Sequence, residues 1–220
     1  MVKFLDFDIQ NYNDIPGKIN ETQCQQITDI AKSIPKGSTV IEIGCAFGRS
    51  TWAWMQGLPA GTRLISIDPF EDDKHKATES AKQIERATSD ELVSVIKFWQ
   101  QNTCYHTVTK VLNKHPRRSL IDYTLYQGTS DEFDLLEINK LACVYIDGNH
   151  TYEFVKRDLE KYGSISEIIC GDDYKPLDTP SPHKPLPGVV KAVDEYGQKT
   201  NRKLWVDLDS AFWTLLKNYN

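Results

Sequence analysis

The chain has 220 residues, 40% of them apolar, and a formal net charge of -5 at pH 7. This size and composition predict a single domain over residues 1–220 with a full hydrophobic core. The negative charge gives no electrostatic reason to expect nucleic acid or an anionic membrane as a partner.

The N-terminal segment and the cysteines favour a cytoplasmic protein. Asp6 and Asp8 occur where a secretory signal would be apolar, and no apolar run reaches the roughly 18 residues of a membrane span. The five cysteines form no CxxC pair. Cys143 and Cys170 lie in apolar, strand-like runs, which is typical of small buried thiols in a reducing compartment.

The first half of the chain alternates helical and strand-like patterns. Apolar side chains recur at helical spacing over residues 20–34, and residues 39–44, TVIEIG, form a β-branched run that predicts a strand. Residues 48–58 favour a helix and residues 63–68 a second strand. From residue 71 to about residue 120 the composition is charged and helical, which predicts a helical insertion over residues 71–120.

The second half continues the alternation. The predicted strands are residues 122–128, 142–148 and 167–173, and the predicted helices are residues 151–163 and 188–198. The tail, residues 202–218, has two further strand-like runs that predict a closing hairpin. Strands that alternate with helices imply a parallel sheet covered by helices on both faces.

A proline-rich segment, residues 175–188, interrupts this pattern. It holds five of the ten prolines of the chain, and such a segment is semi-extended because proline cannot continue a helix. It begins directly after the paired Asp172 and Asp173, so we expect it to form a lid-like loop near them.

A glycine-rich turn connects the first strand to its helix. The stretch E-I-G-C-A-F-G-R-S has glycines at Gly44 and Gly48, a spacing that differs from the G-x-G-x-x-G of dinucleotide enzymes. Asp68 ends the next strand, where an acid can accept hydrogen bonds from two ribose hydroxyls. The turn and Asp68 together favour a nucleoside site, although such a glycine pair also occurs in turns that only connect a strand to a helix.

VIEIGCAFGRST followed by ISIDPF resembles motifs I and II of class I S-adenosylmethionine-dependent methyltransferases. The resemblance implies a Rossmann-like seven-stranded, mostly parallel sheet with helices on both faces and an antiparallel C-terminal strand. It implies that Glu42 orients the methionine end of the cofactor and that Asp68 holds the ribose. The segment QGTSDE resembles the adenine-contacting segment of catechol-type relatives. The cofactor-binding residues implied in this way are Glu42, Gly44, Cys45, Ala46, Gly48, Ser50, Asp68, Gly128, Thr129, Ser130 and Asp147.

Three aspartates follow the fourth and fifth predicted strands. Asp147 ends the fourth strand, and Asp172 and Asp173 end the fifth. In the implied fold these strands are neighbours, so the three carboxylates gather at one edge of the sheet and need a cation. Oxygen ligands favour Mg²⁺ first, and Mn²⁺ or Ca²⁺ next. The alternative is structural, with Asp147 capping a helix and the other two aspartates stabilising a turn.

His150 follows Asp147 by three residues, in the turn before a helix. It is a candidate general base that takes a proton from an acceptor hydroxyl, with Asp147 as the other candidate catalytic residue. The alternative for His150 is a solvent-facing turn histidine.

The pattern IDGNHTYEFVKRDL, then GDDY, then PGVVKAVDEY resembles the metal-dependent sugar O-methyltransferases of the macrocin type. This resemblance implies transfer of a methyl group from S-adenosylmethionine to a hydroxyl of a small-molecule or glycan acceptor, with a divalent metal. The sequence leaves the oligomeric state open, with a homo-oligomer as one alternative. A catechol or another small phenol stays open as the acceptor, and so does a non-catalytic binding protein with this fold. A nicotinamide-dependent reductase is disfavoured, because the G-x-x-x-G spacing of Gly44 and Gly48 differs from the glycine pattern of dinucleotide enzymes.

Overall fold

The computed structural model describes residues 9–15, 17–70, 104–136, 138, 141–177 and 185–218. The seven strands are β1 (Thr39–Ile43), β2 (Arg63–Asp68), β3 (Asp122–Gln127), β4 (Leu141–Ile146), β5 (Ser166–Gly171), β6 (Arg202–Asp207) and β7 (Phe212–Lys217). They form one sheet in the order β3-β2-β1-β4-β5-β7-β6. All neighbours from β3 to β5 are parallel, whereas β7 is antiparallel to both β5 and β6. The predicted fold class is confirmed, including the C-terminal hairpin.

Helices cover both faces of this sheet. The longer ones are α1 (Glu21–Ser33), α2 (Arg49–Gly57), α3 (Cys104–Asn113), α4 (Tyr152–Gly163) and α5 (Pro187–Thr200). One buried apolar cluster joins the sheet to α1, α2 and α3, and a second joins the opposite face to α4 and α5. None of the described helices combines the length and the hydropathy that crossing a membrane requires.

The insertion and the proline-rich loop are described only in part. Residues 71–103 of the predicted insertion lie outside the described residues, and its last part forms α3. Residues 178–184 of the proline-rich loop lie outside them as well. The two ends of this loop meet, because the Leu186 N–H donates to the Lys175 carbonyl at 3.0 Å.

The strand register brings the carboxyl ends of five strands to one edge of the sheet. Ile43 of β1 is level with Ile67 of β2 and with Ile146 of β4, and Ile146 is level with Gly171 of β5. The loops that follow these strands carry the candidate residues. The strand order reverses between β1 and β4, because β2 and β3 lie on one side of β1 and β4 and β5 lie on the other. Ligands of open α/β sheets bind at such a switch point.

Candidate active site

The glycine turn packs directly against the end of β4. Gly44 has φ +87°, and a Cβ added there would lie 2.2 Å from the carbonyl oxygen of Asp147. Gly48 has φ +89° at the residue preceding α2, and an added Cβ would lie 2.7 Å from Val108. Both positions therefore require glycine. The two glycines let the turn pack directly on the backbone of Asp147 and on Val108. The S-adenosylmethionine motif implies that such a turn also lets backbone approach a ligand closely.

Asp68 anchors this turn in addition to ending β2. Its Oδ2 accepts hydrogen bonds from the backbone N–H groups of Cys45 and Ala46 at 3.0 and 2.9 Å, and its Oδ1 accepts one from Phe70 at 2.8 Å. Ala46 and Phe70 have left-handed backbones, with φ 44° and 47°, a conformation that non-glycine residues seldom adopt away from functional loops. A carboxylate offers about four acceptor positions, so Asp68 keeps about one for a ribose hydroxyl while all three bonds persist.

Glu42 is a buried acid with one oxygen left over. Its side chain is 0% exposed, and its Oε2 accepts from the hydroxyls of Thr51 and Ser66 at 2.6 and 2.5 Å. Its Oε1 makes no hydrogen bond of regular geometry. Burial raises the pKa of Glu42 to about 7, against the opposing effect of the nearby hydroxyls of Ser50, Ser66 and Thr51. Glu42 is thus enclosed by the start of α2 and by β2, and its predicted role at the methionine end of the cofactor stays a prediction.

The predicted adenine segment is fastened to α4. The Gly128 N–H donates to the Asp68 carbonyl at 3.1 Å, so the segment begins beside the ribose candidate. The Ser130 hydroxyl donates to Asp158 at 2.5 Å, and the Lys161 ammonium donates to the Ser130 carbonyl at 2.7 Å. The Lys161 ammonium also donates to the carbonyls of Asp131 and Phe133 in the same loop. The Thr129 hydroxyl donates to Glu132 at 2.9 Å.

The edge between β4 and β5 carries a compact cluster of donor atoms. One ligand atom each from Asp147, His150 and Asp173 lie within 4.8 Å of one another. The His150 Nδ1 lies 2.8 Å from Oδ2 of Asp173, and the Lys175 ammonium pairs with the other carboxylate oxygen of Asp173. Asp173 has φ 69°, a left-handed conformation that turns the chain sharply after β5. The structure thus joins two of the predicted metal ligands and the candidate base.

Asp172 has a different environment from its neighbour. Its Oδ1 accepts from the Gln23 carboxamide at 2.5 Å and from the Asp173 N–H at 2.6 Å. Its carbonyl accepts from the Trp213 indole at 2.9 Å. Gln23 also closes the capping box of α1 with Asn20, so the start of that helix is tied to the acid pair. Asp172 therefore lies beside the three-residue cluster, with Oδ1 occupied by protein donors.

Burial and mutual repulsion set the charges of the three acids. Burial raises the pKa of Asp147 well above its usual value, and the charges of Asp172 and Asp173 raise it further. Burial and the charge of Asp173 raise the pKa of Asp172 to about 7. Burial alone would raise the pKa of Asp173, but the hydrogen bonds and charges of His150 and Lys175 outweigh it and bring this pKa to about 2. Asp173 is therefore ionised. A cation nearby would stabilise the ionised forms of Asp147 and Asp172 and lower their pKa values.

This donor set fits the divalent ion that the resemblance implies. Asp147 and Asp173 offer carboxylate oxygens, the ligands that Mg²⁺, Mn²⁺ and Ca²⁺ prefer. His150 already engages Asp173 through Nδ1, so the carboxylates are the first candidates for ligands. An ion held between them would offset the repulsion that raises the pKa of Asp147.

Four supporting residues have no place among the sequence-based predictions. Lys175 stands two residues after Asp173, so its closeness in the chain was a usable signal. Gln23 and Asp172 are 149 residues apart in the sequence, and no local sequence pattern predicts their contact. Asp158 and Lys161 lie on α4. The helical periodicity of the sequence assigns them only to a polar face and does not identify their partners.

Comparisons with known proteins agree with this fold. Residues 41–166, more than half of the chain, match a family described as methyltransferase domain. None of the curated proteins matches the sequence. Among solved structures, a Corynebacterium glutamicum protein is 15% identical, covers 94% of this chain and 84% of its own, and has a TM-score of 0.56.

Two further structures are named as O-methyltransferases. The Bacillus cereus enzyme, solved in complex with SAH, is 12% identical over 93% of this chain and 86% of its own, with a TM-score of 0.53. TomG from Streptomyces achromogenes, involved in tomaymycin synthesis and solved with SAM, is 12% identical over 90% and 80%, with a TM-score of 0.54. At such identities the likeness concerns the fold. By its sequence match, the chain belongs to the methyltransferase-domain family, and it has the fold of class I S-adenosylmethionine-dependent methyltransferases.

Proposed function

We propose that the protein is an S-adenosylmethionine-dependent O-methyltransferase that methylates a sugar or glycan hydroxyl with the help of a divalent cation. The observation that carries this proposal is the contact between His150 and Asp173 beside Asp147, at the sheet edge that the glycine turn shares. The O-methyltransferases among the structural neighbours support oxygen as the acceptor atom. The sugar rests on the sequence resemblance to macrocin-type enzymes.

His150 is the general base in this proposal. Its Nδ1–H donates to Asp173, which leaves Nε2 as the nitrogen that can accept a proton. The ring is about one third exposed, at 38%, so an acceptor can reach it. S-adenosylmethionine supplies the methyl group on a sulfonium. As the acceptor oxygen bonds to the methyl carbon and the carbon–sulfur bond breaks, the hydroxyl proton passes to Nε2, and a neutral thioether leaves.

Asp147 and Asp173 would hold the divalent ion. Such an ion, when bound, lowers the pKa of a hydroxyl and orients two neighbouring oxygens, as in a sugar diol or a catechol. Asp173 then has two tasks, because one of its oxygens also orients the imidazole of His150. Asp172 supports the arrangement through its contact with Gln23.

The first test is methyl transfer from labelled S-adenosylmethionine to a panel of sugars, glycans and catechols. We expect labelled product with acceptors that carry adjacent hydroxyls on a sugar. Excess EDTA should abolish transfer, and Mg²⁺ or Mn²⁺ should restore it. Undiminished transfer in EDTA would refute the metal requirement, and transfer to catechols alone would replace the sugar. Tight cofactor binding without transfer to any acceptor would indicate a non-catalytic protein.

The second test separates the base from the binding residues. His150→Gln should lower kcat by about 10²–10⁴ while the affinities for S-adenosylmethionine and Mn²⁺ stay near those of the wild type. Asp147→Asn should instead weaken Mn²⁺ binding. His106→Gln is the matched control, because His106 is an exposed histidine on α3. If His150→Gln lost Mn²⁺ affinity together with turnover, His150 would be a metal ligand rather than the base.

A further inference from the structure

Lys175 places a fixed positive charge inside the acidic cluster. Its ammonium pairs with Oδ1 of Asp173, while Oδ2 of the same carboxylate contacts His150. The side chain of Lys175 is only 16% exposed, and that of Asp173 is 11% exposed. Lysine is almost never so buried unless it is paired, so this contact fixes the ammonium at the cluster.

The ammonium and a divalent ion would share the carboxylate of Asp173, whose two oxygens already contact His150 and Lys175. Asp147 and Asp173 are the carboxylates that can reach a common ion. An ammonium on Oδ1 of Asp173 fills part of the space around that ion, and its charge repels a second cation at close range with little screening from water. The charge of Lys175 also lowers the pKa values of Asp172 and Asp173, which means that it compensates the cluster in the absence of any ion.

We propose that Lys175 is a built-in counter-ion that competes with the divalent cation for Asp173. In the metal-free protein its ammonium neutralises the cluster, and when the cation binds, the ammonium must leave Oδ1. This inference rests on the proposed metal site and adds to it a residue that sets how tightly the metal is held. Lys175 is a positioning residue, because it acts through Asp173.

This role predicts two effects of opposite sign. Removing the charge should leave the carboxylates of the metal-free protein uncompensated, so the melting temperature should fall. The same change should remove a competitor, so the affinity for a cation should rise. A lysine that merely holds the local structure would give losses of both stability and affinity.

The experiment measures Mn²⁺ binding at pH 7.5 by calorimetry and by the electron paramagnetic resonance signal of free Mn²⁺. Lys175→Gln removes the charge and keeps a polar side chain, whereas Lys175→Arg keeps the charge. We expect Lys175→Gln to bind Mn²⁺ about tenfold more tightly than the wild type and to melt at a lower temperature without metal. Lys175→Arg should resemble the wild type in both respects. Lys191→Gln, at a lysine of α5 that is 61% exposed, should change neither.

Each outcome decides the matter. Binding by Lys175→Gln but not by the wild type supports the competition in its strongest form. Equal or weaker binding by Lys175→Gln overturns it and leaves the metal site standing. If neither protein binds millimolar Mn²⁺, there is no cation to compete with, and the metal site fails with the inference, whereas the methyl-transfer assay still tests the enzyme activity separately.

Discussion

Gly44→Ala is the substitution whose cost can best be worked out from the structure. An added Cβ would lie 2.2 Å from the carbonyl oxygen and 2.7 Å from the carbonyl carbon of Asp147. These are backbone atoms, so no side-chain rotation can relieve the overlap. The backbone is also fixed from both sides, because Gly44 N–H donates to Ile67 and Asp147 N–H donates to Ile43, each at 2.8 Å.

Two costs add at this position. A left-handed backbone costs alanine roughly 1–2 kcal/mol. Overpacking costs roughly 1–3 kcal/mol more. Gly37→Ala is the matched control, because Gly37 has φ +77° and an added Cβ would meet nothing within 4 Å. It should therefore lose only the first amount, about 1–2 kcal/mol.

Urea unfolding of both variants measures these free energies, and calorimetry measures S-adenosylmethionine binding. Gly44→Ala should lose roughly 2–5 kcal/mol and bind the cofactor weakly, since the turn is pushed away from β4. Each kcal/mol corresponds to roughly 2–4 °C in melting temperature for a chain of this size. If Gly44→Ala cost no more than Gly37→Ala, the close approach of the turn to Asp147 would not exist, and the reasoning would fail.

Three further outcomes are expected. Asp68→Ala should weaken S-adenosylmethionine binding by roughly 1–3 kcal/mol in calorimetry and destabilise the unliganded protein, because three backbone N–H groups lose their acceptor. Burial and the charge of Arg117 lower the pKa of His115 from 6.5 to about 4, so its contribution to stability is complete above pH 6.5 and is lost toward pH 4, by up to about 3 kcal/mol. Denaturant titrations over this pH range should be flatter for His115→Asn. Lys161→Met should raise the dissociation constant for the cofactor by about tenfold, because three loop carbonyls lose a donor, and unchanged binding would exclude this role.

The sheet was predictable because its strands are short β-branched runs between clear helical patterns. TVIEIG and RLISID, for example, became the parallel neighbours β1 and β2 with the expected bounds to within one residue. The position of Asp147 beside Asp173 followed from the same argument, since β4 and β5 are adjacent. Periodicity and turn chemistry act over a few residues, and these features depend on nothing longer.

The contacts inside the site were less predictable. Whether His150 faces Asp147 or Asp173 depends on the left-handed backbone of Asp173, and aspartate is a residue that tolerates this conformation without requiring it. The contact of Gln23 with Asp172 joins the start of α1 to the end of β5. Such choices are made by tertiary packing between elements far apart in the chain, so propensity and spacing do not encode them.

The position of β7 also governs when the acidic edge can be completed during synthesis. β7 is the last strand that the structure describes, yet it lies between β5 and β6, and Trp213 on it holds the carbonyl of Asp172. A chain that has left the ribosome only as far as α5 presents β5 with an unpaired edge, and such edges recruit strands from other chains. We therefore expect truncation before residue 212 to yield an aggregating species that depends on chaperones, rather than an enzyme of reduced activity.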